Sequence, residues 1–236
     1  MSVALNEAVE QELLPSNPML RLKLPPVEVR DARSLTPEEI RALREACRGD
    51  WTFALVELAL ASAARRGELL ALQWSDVDWG KRELFITKSL EQTAAGLRVK
   101  TTKSKKPRHF RLPQGAISAL LFQRDQQVEN RRLFGADYRE HELIFCCPDG
   151  SFLQPDLVSQ VIVRRMRKAR IKNASLHTLR HSHAPHLLSR GVPLPVVSER
   201  LGHSDANITA RIYAHALPSD DQRAADEWDA IIGPIQ

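Results

Sequence analysis

Apolar residues recur at helical spacing through most of the chain. A helix is predicted over 37–47, because Thr36 can cap its first turn and Glu39 stands three residues later, where its carboxylate can bond back to the cap. The next segment, 51–63, is apolar on nearly every side, so we expect a central, buried helix there. Further helices are predicted over 114–132, from Pro155 into a basic segment, and over 177–190.

Between residues 74 and 112 the helical spacing gives way to short alternating or β-branched stretches. Four strands are predicted there, with Gly80 and Gly96 placed to turn the chain between them. A later apolar stretch, 143–146, is expected to be a buried strand followed by a turn. The whole pattern predicts an α+β domain that is predominantly helical and contains a small antiparallel β-sheet. The four strands are 76–79, 83–88, 98–100 and 108–112.

The two ends of the chain differ from its middle. Residues 2–14 have the pattern of a short amphipathic helix with too little apolar surface to fold alone. Four prolines then indicate an extended linker that ends near Ala32. The tail contains an acidic amphipathic helix. We therefore divide the chain into a helix and linker at 1–32, a folded domain at 33–218 and a C-terminal helix at 219–236.

Positive charge is concentrated in two runs. The 236 residues include 34 Lys and Arg against 29 Asp and Glu, which gives a net charge of +5. Seven basic and no acidic residues lie from Arg98 to Arg111, and six basic and no acidic residues lie from Arg164 to Lys172. Such runs are often only solvated faces, but they also suit a polyanion, because each phosphate neutralised releases counterions. The candidate DNA contacts are Lys100, Lys105, Lys106, Arg108, Arg164, Arg165, Arg167 and Lys168.

Cysteine usage and hydropathy bear on the compartment. The three cysteines, Cys47 and the adjacent Cys146 and Cys147, match neither a disulfide framework nor a Cys-x-x-Cys metal site, so we expect free thiols in a reducing environment. No apolar run approaches the ~18 residues of a membrane span, and the N-terminus lacks the order of a signal peptide. We expect a cytoplasmic protein without a membrane partner, associated with the nucleoid if it binds DNA.

Candidate catalytic residues cluster late in the chain. His177 and Arg180 stand three residues apart, so on a helix they share a face. His203 follows in Leu-Gly-His, and Tyr213 comes ten residues later. An arginine fork matches phosphate oxygens and a tyrosine oxygen can attack phosphorus, so the set suits phosphoryl transfer without a metal or another cofactor. The spacing of His177 and His181 would also allow zinc, although no glutamate follows in the metalloprotease position.

The motifs resemble those of the tyrosine recombinases, the phage integrase family. His-x-x-Arg, Leu-Gly-His and the tyrosine that follows resemble the C-terminal signature of the family. Residues 64–69, ARRGEL, resemble its first arginine motif, and residues 102–108, TKSKKPR, resemble its lysine-bearing β-hairpin. The similarity runs from about residue 30 to the end. It implies the catalytic-domain fold of the family and double-stranded DNA as the substrate.

The resemblance also implies a role for each matched residue. Tyr213 would attack a phosphodiester and form a 3′-phosphotyrosyl link, with no metal or nucleotide taking part. Lys105 competes with Lys103 for the lysine position, since both lie in the basic hairpin. The other implied roles are phosphate binding for Arg65 and Arg180, orientation of Arg65 by Glu68, hydrogen bonding by His203, acceptance of the tyrosine proton by His177 and protonation of the leaving oxygen by Lys103.

Several features depart from the family pattern. Residues 1–32 would be the remnant of an absent core-binding domain, which in relatives completes a clamp around DNA. Relatives form tetramers on DNA, so we expect self-association, and the C-terminal helix could dock on a neighbouring protomer or on its own. Pro185 interrupts a predicted helix, and Ala63 stands where the family has glycine. These departures leave an alternative open, a catalytically impaired DNA-binding or oligomerisation module.

Overall fold

The computed structural model describes residues 2–22, 33–101, 107–203, 205–213 and 221–232. The chain divides into two units, Met1–Asp31 and Ala32–Gln236. In the first unit, helix α1 spans Ser2–Glu10, shorter than the helical pattern of the sequence, and a 3-10 turn follows at Pro18–Arg21. The side chain of Asn17 caps that turn by accepting a hydrogen bond from the Met19 backbone N–H at 2.9 Å.

The second unit is mainly helical, as predicted. Thr36 Oγ1 accepts a hydrogen bond from the Glu39 N–H at 3.2 Å, and Glu39 Oε2 accepts one from the Thr36 N–H at 3.1 Å, so the predicted cap of the first long helix is present. Its helices are α2 Pro37–Cys47, α3 Trp51–Ser62, α4 Arg66–Leu70, α5 Gln114–Phe134, α6 Pro155–Lys168, α7 Leu176–Leu188, α8 Leu194–Leu201, α9 Ala206–Tyr213 and α10 Asp221–Ile232.

Helix α3 is the centre of the fold, as its apolar sequence predicts. Leu55, Val56 and Leu58 have no exposed surface, although they point to different sides of the helix. The helix packs against α2, α5 and α7. Because α3 is enclosed on all sides, the turn at its C-terminal end is held in a fixed position, and this turn leads into the first arginine motif.

The strands form two small antiparallel sheets instead of the single sheet that was predicted. The strands are β1 Val77–Asp78, β2 Glu83–Ile86, β3 Lys88–Thr93, β4 Gly96–Thr101 and β5 Arg108–Arg111. Strands β1, β2 and β5 make one sheet, with Leu84 opposite Phe110 and Ile86 opposite Arg108. Strands β3 and β4 make a separate hairpin that turns at Gly96, where φ is +114°.

The stretch 143–146 is not a strand, and this prediction was wrong. Its backbone makes two isolated bridges, Gln73 with Leu143 and Cys146 with Phe152. Ile144 and its neighbours are nevertheless buried, which explains the apolar pattern. The side chain of Gln127 donates hydrogen bonds to the carbonyls of Leu143 and Ile144 at 2.9 and 3.0 Å. These bonds replace those that a neighbouring strand would make, so the apolar residues are buried here without belonging to a β-sheet.

Two helices of the second unit end in left-handed turns. Helix α3 ends at Ala63, with φ +50°, and α8 ends at Gly202, with φ +64°. A side chain in this conformation costs roughly 1–2 kcal/mol, so the glycine is the ordinary choice and the alanine is strained. Pro185 lies inside α7, which runs on to Leu188, and it removes the amide that would bond to the carbonyl of His181.

A large hydrophobic cluster fills most of the second unit, and a smaller one lies beside it. Helix α10, predicted as an amphipathic tail, is formed, and its Trp228 and Ile231 side chains are exposed. No helix in the described part of the chain is long and apolar enough to cross a membrane. The smaller cluster consists of Ala63, Ala184, Leu188, Val197, Leu201 and Tyr213.

Candidate active site

Arg180 joins the two left-handed turns. It is buried in α7, with 5% of its surface exposed, and its Nη1 and Nη2 donate to the carbonyls of Ala63 and Leu201, each at 2.5 Å. Burial, followed by repulsion from Arg65 and Arg108, lowers the pKa of Arg180 to about 10, so it stays charged at neutral pH. A guanidinium has five N–H donors. The two carbonyls therefore leave donors of Arg180 for an anion.

Glu68 holds a second arginine in place. Its carboxylate accepts hydrogen bonds from the Arg65 backbone N–H at 2.7 Å and from Arg65 Nη1 at 2.9 Å. The carboxylate is buried, whereas half of the Arg65 side chain, 51%, is exposed. Arg65 is therefore fixed at its base and open at its surface.

Arg108 lies inside the domain, which argues against its prediction as a DNA contact. Only 7% of its surface is exposed, its Nη2 is paired with Glu68, and its Nη1 donates to the Arg200 carbonyl at 2.8 Å. A Cβ at Gly202 would lie 2.3 Å from Arg108 Cδ, so glycine is required there for space as well as for conformation. Burial lowers the pKa of Arg108 while Glu68 opposes the change. The buried Arg108–Glu68 ion pair holds the carboxylate that also binds Arg65.

Tyr213 is buried at the end of α9. Only 2% of its surface is exposed, and its ring packs in the small hydrophobic cluster with Ala63 and Leu201. Its hydroxyl oxygen lies 3.0 Å from Nδ1 of His181. Burial raises the pKa of the phenol and Arg180 opposes the shift, so the hydroxyl is protonated at neutral pH. To act as a nucleophile, this oxygen must pass its proton to a base.

Three histidines surround this hydroxyl and the arginines. The rings of His177 and His181 meet edge to face, with their centroids 4.4 Å apart, so His181 touches both His177 and Tyr213. Burial and Arg180 lower the pKa of His177, and burial, His177 and Arg180 lower that of His181. Both rings are therefore neutral at pH 7.

His203 is oriented by Thr209 in α9. Its Nδ1 lies 2.8 Å from Thr209 Oγ1. Burial, and then the charges of Arg180, Arg65 and Arg108, lower the pKa of His203 to about 4. The ring is therefore neutral at pH 7 and can bond to an anion only by donating its own N–H. Arg65, His177, Arg180, His203 and Tyr213 are thus brought into one region.

Sequence reasoning missed the contact of His181 with Tyr213. His181 was considered only as half of a zinc pair with His177, and the tyrosine proton was assigned to His177. The available signal was position: His181 follows Arg180 directly and stands one helical turn after His177, which places it on the same side of α7 as His177.

Within the described part of the chain, no group of three or more His, Cys, Asp or Glu could hold a metal.

The predicted DNA contacts differ in their surroundings. Lys100 is paired with Glu91, and Arg165 is paired with Asp50. The exposed basic residues at the end of α6 are Arg164, Arg167 and Lys168. The predicted residues Lys103, Lys105 and Lys106 lie outside the described residues.

The fold is that of a tyrosine recombinase catalytic domain. The sequence profile of the phage integrase family matches residues 33–220, and the chain belongs to this family.

Relatives with known names resemble the chain over part of their length. A XerC-like tyrosine recombinase of Caldanaerobacter subterraneus subsp. tengcongensis is 30% identical over 94% of this chain and 61% of its own length. The ICEBs1 integrase of Bacillus subtilis is 26% identical over 98% of this chain and 64% of its own. The chain thus spans a little under two thirds of these relatives.

Solved structures share the fold. The Tn1549 transposon integrase, in complex with transposon right end DNA, superimposes with a TM-score of 0.77 and 21% identity, over 97% of this chain and 76% of that one. The XerA recombinase superimposes with a TM-score of 0.64 and 23% identity, over 92% of this chain and 72% of its own.

Proposed function

We propose that this chain is the catalytic part of a site-specific DNA recombinase that cuts and rejoins DNA strands through Tyr213. The observation that carries the proposal is the buried Tyr213 hydroxyl, which contacts a neutral imidazole beside the Arg180 guanidinium. A tyrosine that served only the hydrophobic core would not need a base and an anion-binding group around its oxygen. Curated relatives named as a recombinase and an integrase support the same reading.

The chemistry follows from the charges around the tyrosine. Tyr213 Oη attacks the phosphorus of a phosphodiester, a 3′-phosphotyrosyl bond forms, and the bond to the 5′-oxygen breaks. Arg65 and the remaining donors of Arg180 bind the non-bridging oxygens, where negative charge grows in the transition state. His203 donates a further hydrogen bond to the same oxygens. Lys103 supplies the proton that the departing 5′-oxygen needs.

Double-stranded DNA is the proposed partner. The Tn1549 integrase, which shares the fold, was solved in complex with DNA. In this chain the exposed residues Arg164, Arg167 and Lys168 lie in the last turns of α6, where they can contact backbone phosphates without reading bases. Lys105 and Lys106 are proposed to do the same. Self-association on DNA is part of the proposal, since strand exchange joins two duplexes.

The test is a covalent trap. A library of nicked duplexes with randomised sequence loses a short 5′-hydroxyl fragment on cleavage, so the cut strand stays bound to the protein through denaturing electrophoresis. The chain contains two tyrosines, Tyr138 and Tyr213, which provides a matched pair of variants. Tyr213→Phe should abolish the covalent band while DNA binding persists. Tyr138→Phe should keep the band, because that hydroxyl contacts Cys146 instead of the active site.

The outcomes separate catalysis from binding. The proposal is supported if proteolysis of the covalent band leaves the DNA attached to a peptide that contains Tyr213, and if the trapped DNA is enriched in one sequence. Chelator should leave the band unchanged. A chain that binds the library and gives no Tyr213-dependent band, in the presence of saturating protein and at low salt, would show that it binds DNA without cutting it.

A further inference from the structure

We infer that His181, and not His177, accepts the proton of Tyr213 during strand cleavage and returns it during rejoining. This inference rests on the proposed function, because it assigns a step within the same reaction. It makes His181 a catalytic residue, since its ring touches the attacking oxygen.

The contact is direct. Nδ1 of His181 lies 3.0 Å from the Tyr213 hydroxyl, within the reach that proton transfer requires. His177 meets the ring of His181 edge to face, so His181 stands in contact with both partners. His177 is also exposed, whereas His181 is partly buried beside the buried tyrosine. In this arrangement His177 is placed to contact His181 or the substrate, while His181 is placed to serve the phenol.

The helix holds the ring of His181 from two sides. Arg180, the preceding residue, is tied to the carbonyls of Ala63 and Leu201, which fixes this turn of α7 against two other helix ends. Ser182, the following residue, is fully buried, and its hydroxyl donates to the Thr178 carbonyl at 2.7 Å. The same hydroxyl accepts from the Leu35 N–H at 2.8 Å. A side chain between two anchored neighbours has little freedom, which favours a fixed distance to the tyrosine oxygen.

The protonation state suits a base. The charged and titratable groups that face His181 are His177 and Arg180 on α7, Tyr213 on α9 and His203 after α8. Burial, followed by the charges of His177 and Arg180, lowers the pKa of His181 and keeps its ring neutral. For Nδ1 to accept the tyrosine proton, the ring proton must lie on Nε2, so the inference specifies a tautomer.

The protons and charges balance through the cycle. As the bond from Tyr213 Oη to phosphorus forms, the hydroxyl proton moves to His181 Nδ1 and the ring becomes an imidazolium. The phosphate brings negative charge to Arg180, which removes part of the repulsion that kept the ring neutral. In rejoining, an incoming 5′-hydroxyl attacks the phosphotyrosine and loses its own proton to Lys103. The departing Tyr213 oxygen then takes its proton back from His181.

The experiment compares His181→Asn with His177→Asn and with a control variant on the same helix, under single-turnover conditions in the covalent trap. Asparagine places an amide oxygen near the position of Nδ1 but cannot accept a proton, so His181→Asn should slow band formation about 100-fold while DNA binding is kept. His186→Gln is the matched control on the same helix. Its amide can still reach the Leu35 carbonyl, which His186 contacts through Nε2 at 2.7 Å, and its rate should equal that of wild type.

A change at the nucleophile separates proton transfer from a structural role. Fluorinated tyrosine at position 213 has a more acidic phenol and depends less on a base. It should recover most of the rate lost in His181→Asn and little of the rate lost in His177→Asn. Rescue of His177→Asn instead would assign the proton to His177. A loss in His181→Asn that fluorotyrosine leaves untouched would show that the ring only supports the fold.

A measurement without DNA tests the tautomer. The ¹⁵N shifts of His181 in the free chain should show Nδ1 unprotonated and hydrogen-bonded, and the Nδ1 signal should move in Tyr213→Phe. A protonated Nδ1 would mean that the histidine donates to the tyrosine, which overturns the inference whether or not the chain cuts DNA. Absence of any wild-type band would overturn the proposed function, whereas a normal band from His181→Asn would overturn this inference alone.

Discussion

Replacing Glu68 by glutamine should destabilise the domain strongly, although the two side chains have nearly the same shape. The carboxylate accepts hydrogen bonds from the backbone and guanidinium of Arg65, at 2.7 and 2.9 Å, and it is paired with Arg108. Glu68 and Arg108 are 3% and 7% exposed. An amide keeps one acceptor oxygen but turns an NH₂ group toward one of these donors, and it leaves Arg108 as a buried charge without an ionic partner.

The loss in unfolding free energy depends on how deeply each arginine that contacts Glu68 is buried. Breaking a buried ion pair by removing one partner costs about 3–5 kcal/mol. Water can replace the lost contact at Arg65, which is half exposed, and Arg108 keeps its bond to the Arg200 carbonyl. We therefore expect the lower end, about 3 kcal/mol. For a domain of this size that corresponds to a melting temperature lower by about 6–12 °C.

The assay is urea unfolding at neutral pH with a surface pair as the control. Glu140→Gln breaks the Arg131–Glu140 pair, whose members are 43% and 56% exposed, and should leave the midpoint almost unchanged. In an Arg108→Met background, Glu68→Gln should cost much less, because no buried guanidinium is left unpaired. Equal midpoints for Glu68→Gln and Glu140→Gln would refute the assignment of Glu68 as the buried partner of Arg108.

Three other substitutions test the surroundings of the site. Gly67→Ala should lower the unfolding free energy by about 1–3 kcal/mol, because its Cβ would lie 2.4 Å from the Leu90 carbonyl oxygen, whereas Gly115→Ala, whose Cβ meets nothing closer than 3.5 Å, should not destabilise. Pro185→Ala should raise the melting temperature, since it restores a helical amide inside α7, and a fall would show that the proline fits the native helix. The wild type should lose stability as the pH falls from about 6.5 to 4, because the unfolded chain binds protons before His183 and His203 do. Burial followed by the charge of Arg200 lowers the pKa of His183 to about 4, and that of His203 is lowered to the same value. His183→Gln should flatten that slope by up to ~1.4 kcal/mol per pH unit in urea melts, and an unchanged slope would exclude a contribution from His183.

Local sequence signals predicted much of this fold. The cap of α2, the buried character of α3, the turn at Gly96 and the helical placement of His177 and Arg180 all depend on residues within a few positions of each other. The separate hairpin did not follow in the same way. Strand β3 carries the polar sequence KSLEQT, and it forms a strand because β4 pairs with it, not because its own residues favour one.

Arg108 shows why the site was only partly predictable. Its neighbours in the basic run indicated an exposed charge, but its environment is set by Glu68, 40 residues earlier in the chain. One local signal was present: strand alternation puts Arg108 on the same face as the buried Phe110, with His109 and Arg111 outward. The contact of His181 with Tyr213 likewise joins residues 32 apart, and no spacing rule reaches that far.

The shared use of Glu68 has a consequence for the free protein. One carboxylate serves Arg65 and Arg108, while Arg180 is held by neutral carbonyls, so the fold gathers more positive charge than it neutralises. Arg65 and Arg108 both lower the pKa of Arg180, which means that folding works against their mutual repulsion. An anion that binds there relieves the repulsion and stabilises the native state by mass action. Inorganic sulfate or a short oligonucleotide should therefore act as a folding ligand, and the domain reaches its full stability only when a phosphate-like group occupies the site.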